Sequence, residues 1–170
     1  MRCFVLLLLI AVVPVWAHLL PAQTGTLRLV EDKAYLALGV PIDAVLGDPA
    51  VSSQGVTLEV FEARQEEIVR RLEGSFMLYQ QETPLPLLDF RVQPEIHYQG
   101  AWSGVSQITV MAIFALGEAP QTLRFAISLW SPGEENLPYR LRVSRVEGRA
   151  DEFELTPDQP FFEFASAAGE

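Results

Sequence analysis

The sequence predicts a mainly β protein, a two-sheet antiparallel β-sandwich of immunoglobulin-like type with one inserted α-helix. Three observations predict it. First, apolar residues recur at every second position over long runs. Ile108, Val110, Ala112, Phe114 and Leu116 alternate with Gln107, Thr109, Met111, Ile113 and Ala115, and a period of two separates the faces of a strand. Second, about nine such runs follow one another, divided by Gly-, Pro- and Asp-rich turns, at the spacing of a sandwich. Third, a single stretch, Leu58–Glu73, carries the 3.6-residue period of an amphipathic helix. The same pattern also allows a β-barrel.

The chain has 170 residues, one domain's worth. Residues 1–17 read as a signal peptide. Met1-Arg2-Cys3 is a short basic start, Phe4–Val13 an almost unbroken apolar run, and Val15-Trp16-Ala17 a small-residue cleavage pattern. The competing reading is a retained membrane anchor. Phe4–Ala17 is short for that role, since a bilayer takes about 20 apolar residues. The only cysteine, Cys3, precedes the apolar run, so it is not placed as a lipid-anchored cysteine. Cleavage after Ala17 leaves a cysteine-free chain, without disulfides or thiolate chemistry. It also leaves 11 basic against 22 acidic residues. That surplus excludes nucleic acid and anionic membrane surfaces as expected partners. The expected location is the periplasm, with no insertion of the mature chain into the bilayer.

The sandwich domain is expected over 18–164. Thr26–Val30 and Ala34–Val40 are strands, with Leu27 and Leu29, then Leu36, Leu38 and Val40, on one face. Glu31-Asp32-Lys33 suits the hairpin turn between them. Pro41 ends the second strand because it cannot donate to a ladder. Ile42–Gly55 reads as a loop. Thr57 is a good N-cap for the helix near 58–73, which buries Leu58, Phe61, Ile68, Val69 and Leu72 and ends before Gly74. Ser75–Gln80 and Leu87–Val92 are strands, with Pro84 and Pro86 marking a bend or an edge. Pro94–Gly104 reads as irregular. Gln107–Leu116, Leu123–Leu129 and Tyr139–Ser144 then read as an antiparallel meander. Asp151–Leu155 and Phe161–Phe164 close the domain, and 165–170 is a flexible tail.

Few residues point to chemistry. His18 would be the first residue after cleavage. Its α-amino group and imidazole Nδ1 would chelate copper or nickel, with His97 as a second imidazole. The plainer reading is a solvated histidine, since no His-x-His or Met-rich run accompanies it. Gly55–Ile68 has the cadence of the end of an EF-hand loop and its exiting helix. Val60 stands where the bidentate Glu belongs, and Ala50–Gln54 stands where the acidic ligands belong, so no calcium site is expected. No Gly-x-Ser-x-Gly elbow exists, because Trp102-Ser103-Gly104 lacks the preceding glycine. The carboxylate pairs Glu66/Glu67, Glu134/Glu135 and Asp151/Glu152 fit solvated surface. Arg124, Arg140, Arg142 and Arg145 form either a basic stripe or cross-strand ion pairs. Tyr98, Trp102 and Trp130 are candidates for an interaction surface. No catalytic set emerges, and an enzyme is not expected.

Several segments together resemble a family. These are Ala17-His18-Leu19-Leu20-Pro21-Ala22-Gln23, the Gly25-Thr26-Leu27 strand, Val40-Pro41, the EF-hand-like Gly55–Ile68 and the strands Val110–Leu116 and Leu123–Leu129. In that order they are similar to the exported proteins and N-terminal domains found with HupE/UreJ-type membrane proteins. The resemblance implies a periplasmic β-rich domain beside a multi-pass membrane protein, in metal handling. Relatives carry an acidic Asp-x-Asp-x-Asp-Gly loop. It is absent here, so no calcium role carries over. The expected function is a non-enzymatic accessory or interaction domain for such a protein, needing no cofactor. The alternative is a copper- or nickel-binding protein using His18 and His97.

Overall fold

The computed structural model describes residues 22–51, 55–99, 102–117, 122–132, 137–146 and 150–166, and the backbone alone at Pro49, Gln99 and Trp102. Two sheets face each other across one apolar core, the β-sandwich the alternation predicts.

The larger sheet has seven strands. β1 (Thr24–Val30) and β2 (Lys33–Pro41) form a hairpin through Glu31 and Asp32, with Glu31 at φ 52°. β2 pairs with the long β7 (Trp102–Ala115), whose other edge carries β6 (Leu87–Gln99). The two-residue β3 (Val56–Thr57) pairs with β7 beyond the end of β2. On the far side of β1 lie β9 (Tyr139–Arg145) and β10 (Asp151–Leu155). β1 runs parallel to β9, and the other pairings among the described residues are antiparallel. The second sheet, in order, is β11 (Phe161–Ala165), β8 (Thr122–Ile127), β4 (Phe76–Gln80) and β5 (Thr83–Pro84).

The alternating apolar residues meet in the core. Leu27, Leu36, Leu38, Ile108, Val110, Leu141 and Val143 come from one sheet, and Phe76, Leu78, Leu123, Phe125 and Ile127 from the other. At one end Phe153 stacks on Phe162, with ring centroids 4.1 Å apart and 7° between planes. Burying a large aliphatic or aromatic side chain contributes about 1.5–3 kcal/mol, so these rows supply the bulk of the drive to fold.

Four expectations need correction. The three late runs do not form a meander. β8 belongs to the second sheet, and β9 pairs with β1 and β10 rather than with β8. Alternation says that one face is buried, and either sheet satisfies it. The helix near 58–73 is two helices, α2 (Leu58–Ala63) and α3 (Gln65–Glu73), broken at Arg64, where φ is −111°. The apolar spacing runs unchanged through the break, so the sequence does not mark it. Phe61, Ile68 and Leu72 are buried as expected, and Thr57 caps α2 by accepting from the Val60 N–H at 3.3 Å. The loop Ile42–Gly55 contains a short helix, α1 (Ile42–Leu46), which buries Ile42, Ala44 and Val45 and ends on Gly47 in the left-handed region at φ 68°. Within the stretch read as irregular, Pro94–Gln99 and Trp102–Gly104 are strand. β6 and β7 stay paired as far as Gln99 and Trp102.

Candidate functional site

The strand β6 is one open edge of the larger sheet, since among the described residues it pairs with β7 alone; β10 is the other. The geometry of β7 says which of its backbone groups are free. Leu116 N–H bonds to Asp32 O at 2.7 Å, toward β2, and Ala115 N–H bonds to Pro86 O at 2.9 Å, toward β6. Successive residues of a strand direct their amides to opposite edges. Odd-numbered residues of β7 therefore serve β6. Their partners are Asp89, Arg91, Gln93 and Glu95. The N–H and C=O groups of Phe90 and Val92 then face away from the sheet. Pro94 shares their parity, which is where a residue without an N–H fits in an edge strand.

Two register shifts shape this edge, between Leu87 and Asp89 and between Glu95 and Ile96. The second is pinned by a buried carboxylate. Glu95 is 6% exposed and accepts from Gln107 Nε2 at 3.0 Å and from Thr109 Oγ1 at 2.7 Å. Between the shifts, Arg91 Nε donates to Asp89 Oδ2 at 3.0 Å. Leu87 and Leu88 are exposed. Beyond Glu95 the β6–β7 ribbon runs past the end of β2, flanked by the short β3. His97 lies on this ribbon opposite Gly104, and Tyr98 opposite Ser103. Both are solvent-exposed, Tyr98 at 75%.

The other expected site residues fall elsewhere. His18 lies outside the described residues. Trp102 starts β7 opposite Gln99, and its side chain lies outside the description. Trp130 is half-buried and packs edge-on against Tyr139, centroids 5.3 Å apart. Of the four arginines, Arg124 is in the other sheet, over the Tyr79 ring at 4.8 Å and 3.4 Å from Glu82. Arg140 pairs with Glu154 directly opposite it at 3.0 Å, and Arg145 with Asp151 at 3.0 Å. Three of the four are thus in ion pairs, and Arg142 lies on β9 opposite Glu152. A shallow groove of about 530 Å³ runs beside them, with Arg140, Arg142, Glu152 and Glu154 in its lining; the mixed charges give it no field of one sign. Glu67 on α3 is held by Arg64 (Nη2 to Oε1, 2.8 Å), and that hydrogen bond lowers its pKa. Glu134 and Glu135 lie outside the described residues.

One buried polar cluster was not anticipated. The Asp43 carboxylate accepts from the Ala44 N–H at 2.9 Å and from the Ser131 hydroxyl. Tyr139 lies nearby, its hydroxyl without a hydrogen-bond partner among the described residues. Burial first, and the Asp43 charge second, push its pKa well above the usual tyrosine range. Asp43, Ser131 and Tyr139 are 2%, 1% and 0% exposed, so no substrate reaches them. The Asp43–Ser131 hydrogen bond ties α1 to the segment that follows β8. The sequence held no signal for this, because Asp43 and Ser131 are 88 positions apart.

Among the described residues, no group of three or more His, Cys, Asp or Glu is placed to hold a metal ion. No helix among them is long and apolar enough to cross a membrane. Neither models of protein families nor curated proteins match the chain.

Proposed function

We propose that the protein is a non-enzymatic, exported interaction domain that binds a protein partner through the end of the β6–β7 ribbon. The observation that carries this reading is Tyr98, 75% exposed on a paired strand that extends past the neighbouring β2. Aromatic side chains held on rigid backbone are the usual anchors of protein interfaces. The buried Asp43–Ser131–Tyr139 cluster is enclosed, so it offers a partner no surface, whereas Tyr98 stands in solvent. The export signal in residues 1–17 puts the partner in or facing the periplasm. The resemblance of the lead-in, first strand and helix segment to HupE/UreJ-associated domains makes a multi-pass membrane protein of that type the partner of choice.

A photocrosslinking amino acid at Tyr98, introduced in cells at native expression, tests the reading. An adduct with a membrane protein is the expected result. Adducts with no protein, with the same crosslinker at exposed Leu137 giving the same pattern, would overturn it.

A second reading is favoured by the exposure of His97 on this same ribbon. Copper or nickel would bind the processed amino terminus at His18, with His97 as a further ligand. Titration of the exported chain with either metal is expected to show binding lost in His18→Ala and weakened in His97→Ala. Binding unchanged by both substitutions excludes it.

A further inference from the structure

The free edge of β6 is self-complementary about Phe90, and we infer that two copies of the chain pair there, antiparallel and in register, to form a homodimer with one sheet continuous across both copies. This goes beyond the interaction reading above and uses a different part of β6.

In an antiparallel pairing centred on Phe90, residues equidistant from it oppose each other. Asp89 then faces Arg91 of the second copy, and Arg91 faces its Asp89. Centring one residue later sets Arg91 against Arg91, a like-charge contact that disfavours that register. The backbone agrees with the first choice. Phe90 and Val92 carry their N–H and C=O groups outward, as derived from the β7 pattern. Phe90 opposite Phe90 therefore supplies a hydrogen-bonded pair at the centre, as antiparallel geometry requires. Next to this segment, Leu88 at the register shift is 54% exposed in the single chain, apolar surface that a second copy would cover. The outward ladder is short. Pro94, which has no N–H to strand, closes it on one side, and the register shift between Leu87 and Asp89 closes it on the other.

Charges on an edge strand ordinarily discourage pairing. Here the alternation of Asp89 and Arg91 turns the deterrent into a register key. It rejects parallel and slipped neighbours and accepts one antiparallel partner, a second copy.

Sedimentation of the exported chain over a range of concentrations tests this. The wild type is expected to dimerise reversibly. Asp89→Arg and Arg91→Asp each place like charges at two symmetric contacts and should weaken the dimer about tenfold. The exchange Asp89→Arg/Arg91→Asp restores opposite charges and should recover wild-type association. All three changes are at exposed positions of an exposed ion pair, so folding is little affected, and unchanged circular dichroism confirms it. A wild type that stays monomeric to high micromolar concentration would overturn the proposal. So would a dimer indifferent to the single substitutions, or an exchange that fails to restore it.

Discussion

Glu95 and Gln107 meet across the β6–β7 ladder, the Gln107 amide donating to the Glu95 carboxylate at 3.0 Å with both residues buried. The pair sits at the register shift that sets the direction of the ribbon bearing His97 and Tyr98. Thr109 donates to the same carboxylate oxygen at 2.7 Å. Glu95→Leu removes two hydrogen bonds at a buried carboxylate and should destabilise the fold by about 1–3 kcal/mol. Glu95→Gln keeps an acceptor oxygen and should lose clearly less. Urea unfolding of the two variants checks the order; equal losses would mean that the carboxylate only fills space.

The pairing of Phe153 with Phe162 closes one end of the sandwich, joining β10 of one sheet to β11 of the other. Phe162 is 6% exposed and also lies 5.8 Å from Phe125 and 5.5 Å from Phe164, between centroids. Phe162→Ala should cost about 3–5 kcal/mol. A double-mutant cycle with Phe153→Ala should return a coupling of about 0.5–1.5 kcal/mol for the stacked pair, measured by chemical denaturation.

Tyr139 should make the alkaline limb of stability steep. Its pKa is raised in the folded chain, so the native state holds the proton more tightly than the unfolded one. An unfolded tyrosine ionises near about pH 10. Below that pH the contribution is fully present; above it, stability falls as pH rises toward the higher folded value. Of the four tyrosines, Tyr139 should ionise only as the chain unfolds, seen as a tyrosinate absorbance step coincident with the loss of circular dichroism. Tyr139→Phe also removes a buried hydroxyl without a partner among the described residues. It should be neutral or stabilising by about 1 kcal/mol and should flatten the alkaline limb.

Two glycines should respond in opposite ways to alanine. Gly55 has φ 74°, and a Cβ there would run into the Val105 carbonyl. Gly55→Ala should destabilise by about 2 kcal/mol or more, from left-handed strain plus displacement of β7. Gly74, at φ −80°, would place a Cβ no closer than 3.8 Å to its neighbours. Gly74→Ala should be neutral or stabilising by up to about 1 kcal/mol. Thermal melts of the two variants should separate them.

Much of the candidate site was legible only in part. Pro84 and Pro86 pointed to a bend or an edge, and His97, Tyr98 and Trp102 drew notice as unusual residues in one short stretch. That this stretch is strand was hidden by Pro94, which reads as a breaker when its edge position is unknown. Nothing in the sequence marks Glu95 as buried, because Gln107 and Thr109 reach it only across the ladder.

The sequence by itself determined the class of fold and the apolar faces of most strands and of the helical segment. Leu27, Leu36, Val110, Phe125 and Leu141 declare themselves by period two, and the segment from Leu58 to Leu72 by period 3.6, because burial of one face is a local property of the chain. Only the tertiary structure decided which strands are neighbours. It sent β8 to the second sheet, set β9 parallel to β1, broke the helix at Arg64 and left β6 at an edge. The physical reason is that alternation names a face and not a partner. Partners are chosen by long-range hydrogen bonds and core packing, which no local pattern records.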